Sequence, residues 1–120
     1  QISKYHLEAG IAYWHTTPTD ENKWEYILRL YNQLIIIEYS SVIALNRTFA
    51  YGKVYGKEKA IVEAEKLGLE DNHYYHELLG YLYTDIDNQK AIAHYQKAVT
   101  LSKSPNERAT LQKQIEQLVK

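Results

Sequence analysis

The sequence contains no cysteine and no methionine, only two prolines and five glycines, and no excess of charge of either sign. Each absence excludes something. Without cysteine there is no disulfide framework, no thiol nucleophile and no thiolate-bound zinc, which fits a cytoplasmic setting. Without methionine there is no translational start. An excised fragment or a processed protein is expected, and a fragment is favoured because charged, amphipathic sequence begins almost at residue 1. The 14 basic residues are offset by 15 acidic ones, giving a formal net charge of −1. Nucleic-acid binders place a cation at each phosphate they contact, so this balance argues against direct DNA or RNA binding. No apolar run approaches the roughly 18 residues of a membrane span. The run Leu34-Ile35-Ile36-Ile37 belongs to an amphipathic helix.

What remains is an ordinary globular balance. Hydrophobic residues make up 45% and charged residues 24% of a chain of 120, which fits one domain over 1–120. A chain of this size buries roughly two-thirds of the surface it exposes unfolded, enough for a core without staples.

Seven segments carry helical periodicity and none carries sustained strand alternation. The first spans about 3–15, with Leu7, Ile11 and Trp14 on one face; Thr16 to Asn22, with Pro18 and Asp20, reads as a loop. The second spans about 23–38, with Trp24, Ile27, Leu28, Tyr31, Leu34 and Ile35 at i, i+3, i+4, i+7 spacing. Ser41 is the expected cap of the third, which Val42, Leu45 and Phe49 line and Gly56 closes. The fourth spans about 57–67 with Ala60, Ile61, Ala64 and Leu67 inward. The fifth spans about 73–83 with Tyr75, Leu78, Leu79 and Leu82 inward. Asp87 is the expected cap of the sixth, about 89–101, with Ala91, Ile92, Tyr95, Ala98 and Val99 inward. Ser104-Pro105-Asn106-Glu107 reads as a capping box opening the seventh, whose Leu111, Ile115 and Leu118 form one stripe opposite a polar face.

These helices pair as hairpins 1–2, 3–4 and 5–6 with the seventh as a polar-faced cap, and the pairs start near residues 3, 41 and 73. That spacing is close to the ~34 residues of a tetratricopeptide repeat. Leu79-Gly80, Tyr83, Ala91, Tyr95 and Ala98 resemble its Leu-Gly, aromatic, Ala, aromatic, Ala pattern, in which small residues admit a neighbouring helix and aromatics fill the gap to the next hairpin. The expected fold is therefore all-α: a right-handed, tetratricopeptide-like α-solenoid of three hairpins plus a C-terminal capping helix, with a concave groove suited to a protein or peptide ligand.

A second resemblance narrows the function. Several extracytoplasmic-function sigma factors of bacterial RNA polymerase carry a C-terminal tetratricopeptide-like domain opening with Gly-Pro-Tyr-x-(Leu/Ile)-x-Ala-Ala-Ile-x-Ala-x-His. The stretch from Ser3-Lys4-Tyr5 through Ala9-Gly10-Ile11-Ala12 to His15 is similar to it. Trp24-Glu25-Tyr26-Ile27-Leu28-Arg29-Leu30-Tyr31 resembles the family's Trp-x-x-Ile-x-x-Leu-Tyr. Ser40-Ser41-Val42-Ile43-Ala44-Leu45-Asn46-Arg47-Thr48 resembles Ser-Pro-Val-Val-x-Leu-Asn-Arg-Ala, and Tyr75-His76-Glu77-Leu78 echoes a later Tyr-His-Leu element. Ser3-Lys4 for Gly-Pro, Ser41 for Pro and Thr48 for Ala are the departures. The resemblance implies a non-catalytic domain that regulates or supports the sigma domains, contacting them or the polymerase through helices 1 to 3, with the promoter-reading regions upstream. A generic tetratricopeptide scaffold for a peptide or assembly partner, and a helical piece of an enzyme with its chemistry elsewhere, are the rival readings.

The candidate partner-binding residues are Tyr5, His15, Trp24, Asn46, Arg47, Tyr51, Tyr55 and His76. Asn46 and Arg47 sit mid-helix among apolar neighbours, where they either hydrogen-bond loop carbonyls and lock adjacent hairpins or, for Arg47, pair with a partner's carboxylate. Twelve tyrosines against one phenylalanine either suit wet docking surfaces, with Tyr51, Tyr55, Tyr74, Tyr81 and Tyr83 as the expected exposed or half-exposed members, or simply replace Phe and Leu in the core. His73 and His76 share a helix face, but no third ligand of matching spacing follows and Glu77 is expected to point elsewhere. Gly52-Lys53-Val54-Tyr55-Gly56-Lys57 lacks the spacing of a phosphate-binding loop, and no nucleophile system is recognisable. No cofactor, metal or membrane is expected.

Overall fold

The computed structural model describes residues 3–16 and 21–120. Seven helices follow one another: α1 Lys4–His15, α2 Lys23–Ile37, α3 Ser41–Tyr55, α4 Lys57–Leu67, α5 His73–Tyr83, α6 Asn88–Leu101 and α7 Pro105–Val119. No strand occurs among the described residues. Most of the loop expected at 16–22, Pro18 and Asp20 included, lies outside them. The chain divides into two compact units, Gln1–Gly56 and Lys57–Lys120, so α3 and α4 belong to different units.

In the first unit α2 packs against both α1 and α3. Its ends are set by side chains. Ser3 accepts the His6 amide at 3.4 Å while the His6 ring takes the Ser3 amide, a reciprocal cap with histidine in the usual glutamate position. α3 is capped by Ser40, not Ser41: Ser40 is extended and its Oγ accepts the Ile43 amide at 3.1 Å. A cap residue keeps a non-helical backbone just before the first turn, and Ser40 is extended whereas Ser41 is already helical. α3 ends at Gly56, whose φ of +100° favours a residue without Cβ.

Two apolar clusters fill this unit. Leu7, Ile11, Leu34 and Ile43 form one. Ile27, Leu28 and Ala50 form the other, flanked by Trp14, Trp24, Tyr31, Tyr51 and Val54. The face of α3 turned to α2 is the Ile43, Arg47, Ala50, Val54 line at i, i+4, i+7, i+11. Val42, expected on one side of the helix with Leu45 and Phe49, lies off this line and is 57% exposed.

In the second unit α4, α5, α6 and α7 pack in series. Asn72, Asp87 and Ser104 cap α5, α6 and α7. The box expected at the start of α7 is half formed. Ser104 accepts the Glu107 amide at 3.3 Å, but the Glu107 carboxylate accepts instead from the buried Ser102 hydroxyl at 3.1 Å. The Ser104 amide donates to Ser102 Oγ at 3.3 Å in place of Glu107, so the Ser102 hydroxyl relays between the cap amide and the carboxylate. α5 is buried on most of its circumference, as befits a helix with neighbours on two sides: Tyr75, Leu78, Leu79 and Leu82 are all covered. Ala60 and Ala64 of α4 and Ala91 and Ala98 of α6 are fully buried small residues. The closest approach is at Gly80, where an added Cβ would stand 2.7 Å from the Tyr95 ring.

Tyr83 departs from expectation. It is 8% exposed, and its hydroxyl donates to Glu65 on α4 at 2.8 Å. Burial first, then that hydrogen bond to a carboxylate, pushes the phenol up to about 12.

Candidate functional site

All but one of the candidate residues lie in the first unit. Tyr5, on the first turn of α1, is 77% exposed. His15 ends α1 and meets the edge of Trp24 with centroids 5.5 Å apart. Trp24 opens α2 half-buried against Phe49 at 5.5 Å, with the Lys23 and Lys53 ammonium groups over its ring at 5.5 and 5.6 Å. Trp14 stacks on Tyr26 at 4.5 Å close by in sequence. The packing of α2 against α1 and α3 brings these rings together: the end of α1 meets the start of α2, and each aromatic sits where a turn faces its neighbour.

On α3, Asn46 is exposed and bonds the Tyr31 hydroxyl of α2, which lowers that phenol's proton affinity against the stronger raising effect of burial. Arg47 donates from Nε to the Asn32 side-chain oxygen at 2.6 Å and lies 5.9 Å from the Tyr51 ring centre. Tyr51 is half-buried beside Tyr55, ring centres 4.7 Å apart, and Tyr55 faces solvent. Asn46 and Arg47 thus both tie α3 to α2. The locking role expected for them is met through side chains rather than loop carbonyls. Replacing Arg47 with lysine removes the guanidinium geometry while keeping the charge. The expected loss is about 1 kcal/mol, a fall in Tm of about 4–8 °C; a variant melting with the wild type would assign Arg47 no structural role.

Two concavities flank these residues. One of about 340 Å³ has Ile11, Leu34 and Ile43 among its apolar lining and Glu8, His15 and Asn46 among its polar lining. The other, about 390 Å³, is lined by Glu25, Leu28, Arg29, Asn32, Val54 and Tyr55.

Four exposed side chains at the α2–α3 junction were not among the candidates: Ile36, Ile37, Tyr39 and Val42. Ile36 is 85% exposed. The signal was legible, since four successive apolar residues, Leu34 to Ile37, span more than one face of a helix and cannot all be covered by a single neighbour. The Lys4–Glu38 ion pair, at 2.9 Å, sets the first turn of α1 beside this junction, so Tyr5 adjoins it. Seven of the eleven large hydrophobic side chains exposed among the described residues belong to the first unit, and four of those seven lie between 36 and 42.

His76 is the candidate that the structure takes off the surface. It lies on α5 in the second unit and is only 3% exposed. Its Nε2 is 2.8 Å from the Glu70 carbonyl oxygen and its Nδ1 is 3.0 Å from Nδ1 of His94. His73, three residues earlier, faces other groups: Glu107 at 3.5 Å and, contrary to expectation, Glu77 at 4.0 Å. Burial raises the Glu77 carboxyl against the lowering effect of His73. Among the described residues no group of three or more histidines and carboxylates is arranged to hold a metal ion. No helix among them is long and apolar enough to cross a membrane.

The chain matches none of the known family models. It is 32% identical over 119 residues to an uncharacterized protein of Rhizobium meliloti (strain 1021). That similarity covers 95% of this chain but 28% of the relative, so the chain spans a minor part of the length of the curated protein it matches.

Proposed function

We propose that this chain is a non-catalytic, tetratricopeptide-like regulatory domain of a bacterial extracytoplasmic-function sigma factor, acting in the cytoplasm. It docks on the sigma domains or RNA polymerase through its first three helices. The observation that carries the docking is the exposed apolar group Tyr5, Ile36, Ile37, Tyr39 and Val42 around one end of α1, α2 and α3. Scattered surface hydrophobics are normal, whereas a sequence-local group of this size on a small unit suits contact with another protein. The sigma partner rests on the motif resemblance from Tyr5 to Arg47, whose residues form the same three helices. A relative several times longer is compatible with a domain of a larger protein.

Two substitutions test it together. Ile36→Asp and Tyr39→Asp alter exposed positions, so the fold is expected to hold within about 0.5 kcal/mol. Binding to the sigma domains is expected to weaken at least about tenfold, since exposed aromatic and aliphatic anchors dominate such interfaces. Deleting the domain is expected to change promoter-dependent transcription. Unchanged binding by the double variant together with unchanged transcription after deletion would overturn the reading.

The second reading, a scaffold for a peptide, is favoured by the cavity near Ile11, Leu34 and Ile43, whose apolar lining and polar Glu8, His15 and Asn46 suit an amphipathic segment. Ile43→Asp would abolish that mode but also disturb the core; His15→Ala and Asn46→Ala weaken it without burying a charge.

A further inference from the structure

The second unit contains a buried polar contact that the docking role does not use. His76 of α5 and His94 of α6 face each other nitrogen to nitrogen, Nδ1 to Nδ1, at 3.0 Å. The opposite nitrogen of His76 lies 2.8 Å from the carbonyl oxygen of Glu70. A carbonyl oxygen only accepts, so Nε2 of His76 carries the hydrogen, and its Nδ1 is bare while the ring is neutral. Nδ1 of His94 is then the donor across the pair, and its own Nε2 is bare.

That assignment fixes how added protons are tolerated. One extra proton, on either ring, leaves a single N–H between the two facing nitrogens. The N–H···N bond survives, now charge-assisted. A second puts an N–H on both facing nitrogens. Two N–H groups would then point at each other across 3.0 Å with like charges behind them. We propose that the His76–His94 pair is a proton-operated latch between α5 and α6, shut while the two imidazoles together hold no more than one added proton and open once they hold two.

The surroundings decide which ring moves. His76 is 3% exposed and held at Glu70, with Tyr75 at its edge. His94 is half-buried and stacked on Tyr83 with ring centres 5.7 Å apart and planes 7° from parallel. His94 therefore swings out, and Tyr83 loses its cover. Charged groups bear on this: around His94, Glu70 before α5 and Glu65 on α4 favour protonation while Lys90 on α6 opposes it, and the Glu70 carboxylate also lies 3.7 Å from Nε2 of His76. Burial, and next His76, prevail and hold His94 below the usual histidine range. The unfolded chain thus takes up its proton first on acidification. Stability is full above about 6.5, the free histidine value, and is lost as the pH falls from there toward the lower folded value.

Histidine-selective nitrogen NMR on the whole chain tests the latch. At pH 8 the Nε2–H tautomer is expected for His76 and the Nδ1–H tautomer for His94. On acidification the His94 ring is expected to titrate below the free histidine range. Gain of the second proton by the pair should coincide with faster amide exchange in α5 and α6. In His94→Gln the amide can turn its oxygen to a protonated His76, so the acid-induced exchange is expected to disappear. An Nδ1–H tautomer at His76, a His94 ring that titrates at or above the free histidine range, or a second protonation that leaves exchange unchanged would each overturn the proposal. The tautomers are read on the wild type, so a poorly folding variant does not protect it.

Discussion

Gly80→Val is expected to lower the stability of the second unit by about 3 kcal/mol, read as a fall in Tm of about 12–24 °C. On helix propensity alone Gly80→Ala would gain about 1 kcal/mol, because glycine is a poor helix residue. The structure reverses the sign. An added Cβ would meet three ring atoms of Tyr95 at 2.7 to 2.8 Å, and Tyr95 is itself buried. The ring has little room to retreat, with Ala98, Leu111 and Ile115 in the same cluster. Overpacking of this kind costs about 1–3 kcal/mol for small insertions, and valine adds two further methyl groups. Tyr95→Leu in the Gly80→Val background is the check. If the ring is the obstacle, the double variant is more stable than the sum of the single effects predicts, with a coupling of about 1 kcal/mol or more. Strict additivity would show that Gly80 serves something other than this approach of α5 to α6.

Ile27→Ala is expected to cost about 2–5 kcal/mol, while Ile36→Ala on the same helix stays within about 0.5 kcal/mol. Both changes delete the same atoms. Ile27 is wholly buried with Leu28 and Ala50, where its removal leaves a cavity. Ile36 stands half a turn round the helix from it and is already in water. Denaturant or thermal melts of the two variants decide the matter. Equal losses would mean that Ile36 is covered in solution, which points to self-association of the exposed group at the α2–α3 junction. Ile36→Ala at two protein concentrations separates that case, since association makes melting concentration-dependent.

The number, order and approximate ends of the helices were readable along the chain because the signals are local. Apolar spacing marks α2 and α5, Asp87 and Ser104 mark where α6 and α7 begin, and Gly56 marks where α3 stops. Errors in local reading were of one residue, as between Ser40 and Ser41, where two adjacent serines offer the same chemistry. The candidate residues of the first unit were legible as motif positions, but their roles were not. Arg47 and Asn46 reach across to α2 because Asn32 and Tyr31 happen to stand opposite, and nothing in the sequence pairs residues on different helices.

The sequence by itself determined an all-helical chain, most of its capping signals and a near-balance of acidic and basic residues, since each follows from residue type and spacing. Tertiary structure alone decided that His76 and Tyr83 are buried, that Val42 and Ile36 are not, and that Glu107 serves Ser102. A helix presents side chains in all directions. Which of them lose water depends on the neighbour that packs there, and a buried hydroxyl or imidazole then takes the nearest partner that spares it desolvation without a hydrogen bond.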